Sequence, residues 1–555
     1  MKNKIYILLL SVAFFTISFK TFAQLQVLEK THDVSKKARK GDLSSIDFNE
    51  EKGIVELIYI LPEKMFAGNK IRSEVYTYNK DLELLSTEQV EVEKEKLVRS
   101  RGGKIKEDIS YITVDAVPVF AIPMKIAFKK KEVARRFNWL TMRYQVSEKL
   151  LDKITPKTAE DEKYTWGYKY DVLQDKSVLV LSGKHKKKTA NMTMYYDILR
   201  CDVEGNVTVT DSINFKRPYI SIYSAPLKDL KDADEFELTR DWIMVFAPAV
   251  NKTFPDVKPT LLTYVRISPA GKVLERFEFD SPSNCWQISS ALEKDGSVYM
   301  YGGAITKSPE KKYYYETYKA KAAMTNLQIC KITKGKLDFI SSPAIKDLAS
   351  NQAKPTNQKK AVVFDGKAFQ INSLEFNDKG EVLLICQDGL EKKFNTNYMF
   401  KFDANGVFKK YYNVILTADG SKGTEGAEKW AEPIQNYFAT SGDGKFTYWF
   451  MRSTKLVKCK TYTAEAKDAD GSGGMAELVG EKTTICFAKR GLDICTINNE
   501  TGEMSELKAL GREKKDEYYL FENAGYVVKM GNFIFTAGEN IKGDKIMLSR
   551  VDVSK

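Results

Sequence analysis

Histidine is nearly missing from this chain. Only His32 and His185 occur among 555 residues, and His185 lies in the run Lys184-His185-Lys186-Lys187-Lys188, where the surrounding positive charge disfavours a bound cation or an imidazolium. Ser-His-Asp catalysis, Cys-His catalysis and histidine-based metal sites are therefore not expected. The chain also lacks the GxSxG elbow and the phosphate-binding GxxxxGK[ST] loop. These absences argue against a peptidase or a nucleotide enzyme, and the sequence predicts no catalytic, cofactor-binding or metal-binding residue.

Closely spaced cysteines are missing as well. The seven cysteines form an odd set, which excludes a complete disulfide framework, and the nearest two are nine positions apart. That spacing excludes CxxC redox motifs and zinc ribbons. Cys386 ends the apolar run 382–386 and is predicted to be a buried free thiol. Cys459 and Cys486 lie symmetrically about Gly471–Gly474, so we expect them to face each other across a hairpin, as neighbouring thiols rather than as a disulfide.

Long apolar runs are confined to the N-terminus. Lys2 and Lys4 precede an apolar stretch from Ile5 to Phe19, and small residues around Thr21-Phe22-Ala23 come before Gln24. This order is typical of a cleavable signal peptide over residues 1–23, and the stretch is short for an uncleaved membrane anchor, which is the alternative. No later segment has the length of a membrane span, so no transmembrane segment is expected in the mature chain. We expect an exported protein, located in the periplasm or outside the cell.

The charge is basic but dispersed. Eighty-seven Lys and Arg against 74 Asp and Glu give a formal net charge of +13. Because bases and acids are interspersed along most of the chain, a solvated surface is the plain interpretation, and nucleic acid is not expected as a partner. Two basic clusters, 129–136 and 184–188, are interpreted in the same way, with contact to an anionic polymer as the alternative.

A repeated pair of elements organises the rest of the chain. The first element is a turn followed by four to seven mostly apolar residues, which is typical of strands covered on both faces. It occurs at 54–60, 178–181, 243–246, 298–301, 382–386, 446–451 and 533–535. The second element is a hairpin with alternating pattern around a polar turn, as at Asp403-Ala404-Asn405-Gly406, because Asp or Asn before Gly suits positive φ. The two elements recur six times, and a seventh unit is one strand short.

This rhythm, as in Phe402–Phe408, resembles that of exported β-propeller proteins. The resemblance implies an all-β fold, with a single seven-bladed β-propeller domain over residues 24–555; an eighth blade within 95–160 is the alternative. The spare N-terminal strand at 25–28 would complete the last blade and close the ring. The chain departs from named repeat families, since it has no Trp-Asp at blade ends and only one Gly-Gly, Gly302-Gly303. Tandem β-sandwiches are the alternative fold.

Insertions interrupt the rhythm near 305–326, 345–365, 418–432 and 463–480, and loops on a rigid scaffold often carry function. Within the first, Tyr313, Tyr314, Tyr315 and Tyr318 stand beside lysines, which predicts a partner-binding loop; packing back onto the adjacent blade is the alternative. In the last, Asp468 and Asp470 resemble the start of a calcium loop. Val479 stands where an EF-hand needs Glu, so an ordinary flexible turn is the favoured interpretation and no cofactor is predicted.

These observations lead to an expected function. The sequence predicts an exported, non-catalytic binding or scaffold module of the cell envelope, whose partner is an envelope protein or a glycan. Two alternatives stay open: a carbohydrate-active propeller enzyme using paired carboxylates, and a structural envelope protein. The oligomeric state is not determined by the sequence.

Overall fold

The fold is known from a computed structural model of the full chain. It describes residues 25–49, 51–61, 70–93, 116–119, 143–146, 164–172, 178–186, 193–201, 206–229, 241–248, 258, 260–306, 324–348, 350, 352–367, 369–377, 379–388, 396–416, 434–463, 482–514, 517–520, 527–540 and 543–554.

These residues are nearly all in β-strands, with one short helix, α1 (Ile345–Leu348), and a 3₁₀ turn at Ala38–Lys40. The strands of the first half, in chain order, are β1 (Gln26–Asp33), β2 (Asp42–Asn49), β3 (Ile54–Ile60), β4 (Lys70–Asn79), β5 (Leu84–Glu93), β6 (Ala116–Val119), β7 (Arg143–Val146), β8 (Tyr164–Val172), β9 (Val178–Lys186), β10 (Thr193–Cys201), β11 (Val207–Pro226), β12 (Lys228–Asp229), β13 (Trp242–Pro248), β14 (Leu261–Ile267) and β15 (Val273–Asp280). Those of the second half are β16 (Cys285–Lys294), β17 (Ser297–Ile305), β18 (Asn326–Thr333), β19 (Lys336–Ser341), β20 (Gln352–Ala353), β21 (Phe369–Phe376), β22 (Val382–Asp388), β23 (Thr396–Phe402), β24 (Phe408–Ile415), β25 (Gln435–Thr440), β26 (Phe446–Thr463), β27 (Lys482–Asn498), β28 (Lys508–Leu510), β29 (Arg512–Lys514), β30 (Glu517–Leu520), β31 (Val528–Met530), β32 (Phe533–Asn540) and β33 (Lys545–Asp552).

The strands form a series of antiparallel sheets in chain order. Sheet 1 is β2–β5, and sheet 6 is β25–β28. Sheet 4 is β16–β19 with the short β12 parallel to β16, and sheet 5 is β21–β24 with the short β20 parallel to β24. Sheet 7 contains β29–β33 together with β1. The long strand β11 belongs to two units, because its first half pairs with β10 and its second half with β13. We therefore call β8–β10 with the first half of β11 sheet 2, and the second half with β13–β15 sheet 3.

The predicted doubly apolar runs form the second strand of each sheet. Every residue of β13, β17 and β22 is buried, which follows from their position between two strands within the sheet and between two neighbouring sheets. Short turns lead into them. Asp295 and Gly296 (φ 51° and 71°) form such a two-residue hairpin turn before β17, and Lys334 and Gly335 (φ 49° and 69°) form another between β18 and β19.

Consecutive sheets pack face to face through apolar clusters. Each cluster combines residues of two neighbours, for example Leu181 with Phe246 (sheets 2 and 3), Val245 with Met300 (3 and 4), Tyr299 with Leu384 (4 and 5), Ile385 with Trp449 (5 and 6), Phe450 with Val551 (6 and 7), and Leu548 with Leu57 (7 and 1). Each fully buried side chain of this kind stabilises the fold by about 1.5–3 kcal/mol. The core is thus a series of thin layers rather than one centre.

The N-terminal strand pairs with the C-terminal one. Strand β1 runs antiparallel to β33, from Gln26 opposite Asp552 to Asp33 opposite Lys545. Leu28 packs against the cluster of sheets 7 and 1, and Val27 against that of sheets 6 and 7. Glu29 adds a polar tie, since its Oε1 accepts from the Gly511 amide at 3.0 Å and the Ser549 hydroxyl at 3.2 Å. The first strand of the chain thereby joins the last sheet, between two inter-sheet cores.

Between sheets 1 and 2, the described residues form one two-stranded sheet, β6 with β7. The possible eighth blade within 95–160 otherwise lies outside the described residues. No helix in the described part of the chain is long and apolar enough to cross a membrane.

The short turns and the insertions lie at opposite edges of the sheets. At the short-turn edge, hydrogen bonds join neighbouring sheets. They run from Thr210 Oγ1 to Gly271 O (2.9 Å), from Lys410 Nζ to Thr501 O (3.1 Å), from Gly442 N to Val553 O (3.0 Å) and from Arg550 Nη1 to Asp81 Oδ1 (2.7 Å). The other edge carries the segments that follow β17, β24 and β26, which contain three of the four predicted insertions. The fourth, 345–365, contains α1 and β20 and packs against sheet 5, where the Phe364 ring lies 4.9 Å from that of Phe400.

Candidate functional site

The first strands of four sheets carry a β-bulge near the insertion edge. The register shifts by one residue at Ser44 in β2, Ile222 in β11, Ser289 in β16 and Asn372 in β21. In three of them the extra residue is Ser or Asn and a serine follows, as in Asn372-Ser373. A bulge leaves its extra residue outside the ladder and redirects its side chain. These strands therefore place hydroxyl and amide groups beside otherwise apolar layers.

Hydroxyl groups meet at the bulge of β16. Ser290 lies directly opposite Tyr301 in β17 and hydrogen-bonds both to that phenol and to that of Tyr223 in β11. Burial raises the pKa of each tyrosine to about 12, and the hydrogen bond with Ser290 only partly offsets it. Both phenols therefore stay protonated at neutral pH and act as neutral donors and acceptors.

A carboxyl group stands on the bulged strand of the next sheet. Burial raises the pKa of Glu375 in β21 above its usual value, opposed by a hydrogen bond with the Ser373 hydroxyl. The first strands of sheets 3 to 6 are the second half of β11, β16, β21 and β25. Among their residues, two carry a carboxylate, Glu293 and Glu375. Glu293 lies 3.4 Å from the Arg266 guanidinium, so it is ion-paired. Glu375 is the carboxyl that the strand presents next to the hydroxyl groups.

Four amide side chains, which we call the amide belt, connect sheets 5 and 6: Asn372, Gln387, Asn397 and Asn436. Gln387 Oε1 accepts from the Ile434 amide at 2.6 Å and from Asn372 Nδ2 at 2.8 Å. Asn397 Nδ2 donates to Asn436 Oδ1 at 2.6 Å. Gln387 and Asn397 are opposite each other in β22 and β23, and both are fully buried. Asn372 and Asn436 are half-buried and form the accessible side of the belt.

The orientation of each amide is fixed by a partner of known polarity. The Ile434 amide can only donate, so the oxygen of Gln387 must face it, and the Trp449 indole N–H donates to Asn436 Oδ1 at 2.8 Å. Among the described residues, three buried belt atoms then find no hydrogen-bond partner: Asn372 Oδ1, Gln387 Nε2 and Asn397 Oδ1. Each unpaired buried group costs about 1–3 kcal/mol. Two acceptors and one donor of the belt are therefore left without a partner among the described residues, and all three atoms are buried.

The bulge segment of β21 lies between the hydroxyl groups at the bulge of β16 and the amide belt, and we treat all of them as one candidate site. The hydroxyl groups are on the side of sheet 4 and the amides on the side of sheet 6. Its groups are mostly uncharged, and its geometry suits a ligand that both donates and accepts hydrogen bonds. Within the described residues, no group of three His, Cys, Asp or Glu side chains could hold a metal ion.

The structure does not describe the site residues predicted from the sequence. Tyr313, Tyr314, Tyr315 and Tyr318, and also Asp468 and Asp470, are outside the described residues, so their roles stay predictions. Met324, the first described residue after the tyrosines, donates its amide to Gly366 O at 2.9 Å between sheets 4 and 5. Met324 therefore lies at the same edge of the sheets as the amide belt.

The cysteines follow the prediction as far as they are described. Cys285, Cys330, Cys386 and Cys495 are buried free thiols, and burial raises the pKa of Cys386 well above its usual range. The register of β26 and β27 shifts between the pairs Val457/Phe487 and Lys460/Ile485. Cys459 and Cys486 lie within that interval, and their side chains are outside the described set.

Sequence reasoning missed the bulged strands. The signal was a repeated motif, an apolar residue followed by Ser or Asn and then Ser, present as Leu43-Ser44-Ser45, Ile288-Ser289-Ser290 and Ile371-Asn372-Ser373. Each copy precedes a doubly apolar run by one hairpin, so a search for repeats among the polar residues would have found it.

Comparison with known proteins gives no family. No family model matches the chain, and no curated protein matches it in sequence. Among solved structures, a lignostilbene dioxygenase from Pseudomonas brassicacearum is 10% identical, with 96% of this chain and 94% of that one covered and a TM-score of 0.25. A β-xylosidase/α-arabinofuranosidase from a compost microbial metagenome is 14% identical, with 62% and 94% covered and a TM-score of 0.21. A member of the DUF4221 family from Bacteroides vulgatus is 10% identical, with 71% and 94% covered and a TM-score of 0.22. Likeness at this level carries no inference about activity.

Proposed function

We propose that this chain is an exported seven-bladed β-propeller, closed by its N-terminal strand, that binds a neutral hydroxyl-rich ligand, a glycan of the cell envelope, at the bulge of β21. The signal-like residues 1–23 support export, and the mature domain would then work in the periplasm or outside the cell.

The order of packing supports the ring. Sheets 2 to 7 each pack on the next, and sheet 7 packs on sheet 1. Pairing of β1 with β33 completes sheet 7 as its outer strand. Two strands more than 500 residues apart in sequence pair readily in a ring, whereas tandem sandwiches give no reason for them to meet. In a propeller the first strand of each blade is the innermost, so β16, β21 and β25 would line the central channel.

One observation supports binding above all: buried polar atoms of Asn372, Gln387 and Asn397 have no hydrogen-bond partner among the described residues, beside the half-buried side chains of Asn372 and Asn436. Folded proteins rarely leave such groups unpaired unless water or a ligand fills them. Sugar hydroxyls donate and accept at once, and they match a mixture of two acceptors and one donor. The neutral phenols of Tyr223 and Tyr301 extend the same chemistry onto sheet 4.

The test is binding of the mature chain, residues 24–555, to an array of neutral and acidic oligosaccharides, followed by calorimetry on any that are retained. Loss of one hydrogen bond costs about 0.5–1.5 kcal/mol, so Asn372→Ala is expected to weaken binding up to about ten-fold. Asn405→Ala, an exposed asparagine at the short-turn edge, is the matched control and should leave affinity unchanged. Equal affinity for both variants, or retention of acidic oligosaccharides alone, would contradict the proposal.

A carbohydrate-active enzyme is the second candidate, and Glu375 favours it. A carboxyl with a raised pKa at a hydroxyl-lined strand has the property of a general acid. The retained oligosaccharide should be analysed by mass spectrometry after prolonged incubation. Our proposal expects it intact, whereas cleavage that Glu375→Gln abolishes would establish the enzyme.

The tyrosines 313–315 and 318 keep their predicted role as a partner contact. They precede Met324, which lies at the insertion edge, and the proposed contact of these tyrosines would extend the glycan site or bind an envelope protein. Deleting 307–323 should weaken that contact without lowering the melting temperature of the domain.

A further inference from the structure

The structure assigns a second binding surface to the ribbon formed by the distal parts of β26 and β27, and we propose that this ribbon docks on an anionic lipid membrane. The inference goes beyond the glycan site and does not depend on it.

The ribbon extends past its own sheet. Strand β25 pairs with β26 no further than Arg452, and β28 pairs with β27 no further than Leu492. Strands β26 and β27 continue to pair with each other as far as Thr463 opposite Lys482. Residues 454–463 and 482–490 therefore form a two-stranded ribbon. At about 3.3 Å per residue, it extends roughly 30 Å from the insertion edge.

The ribbon is basic throughout. It contains Lys455, Lys458, Lys460, Lys482, Lys489 and Arg490, and no Asp or Glu. In the chain as a whole, by contrast, 87 bases are interspersed with 74 acids. The intervening segment 464–481 has five acids and one lysine, so the positive charge is confined to the paired strands.

The register places like charges opposite each other. Lys455 is the cross-strand partner of Lys489, an arrangement that destabilises an isolated strand pair. In sheet 5, where Lys401 likewise lies opposite Lys410, a carboxylate compensates the charge, since Glu381 Oε2 is 2.7 Å from Lys401 Nζ. The ribbon has no Asp or Glu that could compensate this pair. An anionic surface would relieve the repulsion between the two lysines.

The composition favours a membrane over a polyanion in solution. The same 19 residues include Leu456, Val457, Tyr462, Ile485 and Phe487, with Val457 opposite Phe487. A segment that combines lysines with aliphatic and aromatic residues binds lipid by two routes, phosphate contact and partial insertion at the headgroup level. Strand β9 ends with Lys184 and Lys186 at the corresponding edge of sheet 2, which adds basic residues to the same side of the molecule.

The experiment is vesicle co-sedimentation of residues 24–555, with phosphatidylcholine alone and with phosphatidylcholine containing phosphatidylglycerol. The proposal expects binding only to the anionic vesicles, weakening as salt is raised. Each cation near such a surface contributes about five-fold, so the triple variant Lys455→Glu, Lys458→Glu, Lys489→Glu should bind roughly 100-fold more weakly.

The matched control reverses three exposed lysines at the opposite edge: Lys80→Glu, Lys334→Glu and Lys379→Glu. It changes the net charge by the same amount and should retain binding within a few-fold. If the ribbon variant has a lowered melting temperature, the milder Lys→Gln triple replaces it and should still lose most of the binding. Equal losses in both sets, binding to neutral vesicles, or retention by acidic polysaccharide but not by anionic vesicles would overturn the proposal.

Discussion

Replacing Gln387 with leucine tests the amide belt at its centre. Gln387 is fully buried, and its oxygen accepts from the Ile434 amide at 2.6 Å and from Asn372 Nδ2 at 2.8 Å. Leucine has a similar volume, so the substitution removes the acceptor without leaving a large cavity. The Ile434 N–H then loses its partner, while Asn372 Nδ2 keeps a second acceptor, Ile434 O, at 3.3 Å.

The magnitude follows from these contacts. Leaving the Ile434 donor unpaired costs about 1–3 kcal/mol, and losing the bond to Asn372 costs about 1 kcal/mol more. Removal of the unpaired Nε2 atom returns about 1 kcal/mol. We therefore expect Gln387→Leu to lower the free energy of unfolding by about 2 kcal/mol in urea denaturation, with an unchanged slope.

A double-mutant cycle with Asn372→Ala separates the belt from general packing. The two residues share one hydrogen bond, so the double variant should be less destabilised than the sum of the single variants by about 0.5–1.5 kcal/mol. A destabilisation below about 0.5 kcal/mol for Gln387→Leu, the range of ordinary surface changes, or strict additivity in the cycle, would refute this account of the belt.

Two further predictions concern a titrating group and a turn. Because burial raises the pKa of Glu375 above its usual 4.5, the neutral form stabilises the fold at low pH and that contribution is lost as pH rises through the folded pKa. Glu375→Gln should therefore match the parent in unfolding free energy at low pH and exceed it at neutral pH; a constant difference across the pH range would contradict this. At Gly406 (φ 79°) an added Cβ would lie 2.4 Å from the Phe339 ring of the neighbouring sheet, whereas at Gly380 (φ 72°) it would meet nothing within 4 Å. Gly380→Ala should cost about 1 kcal/mol from backbone strain alone, and Gly406→Ala at least about 1 kcal/mol more from the clash; equal costs would mean that sheets 4 and 5 do not meet at this turn.

Much of the strand pattern follows from the sequence because burial on both faces has a simple signature. The runs 243–246 and 382–386 lie within β13 and β22, in which every residue is buried, since a strand between two sheets is covered on both faces. The run 54–60 coincides with β3, but there burial alternates along the strand. The predicted turn Asp403-Ala404-Asn405-Gly406 is present between β23 and β24, and Gly406 adopts the positive φ (79°) that such a turn requires.

The candidate site could not be predicted in the same way. The four residues of the amide belt lie in four different strands, across a span of 65 positions in the sequence. Only the strand register and the packing of two sheets bring them together. Apolar periodicity assigns strands to a core but gives no information about which neighbour a buried amide meets. The tyrosines at 313–315 are conspicuous in the sequence because they are contiguous, whereas the bulge residues are single serines and asparagines within ordinary strands.

Closure of the ring by β1 is the claim on which the proposed architecture depends, and it can be measured directly by omitting that strand. A chain of residues 34–555 lacks the packing of Val27 and Leu28 and the hydrogen bonds of Glu29, which together contribute about 5 kcal/mol. In urea denaturation we expect it to unfold at a much lower urea concentration than residues 24–555, and a synthetic peptide of residues 24–33 should restore the transition. Unfolding of residues 34–555 at the same urea concentration as residues 24–555, with no effect of the peptide, would contradict the closed propeller and favour tandem sandwiches.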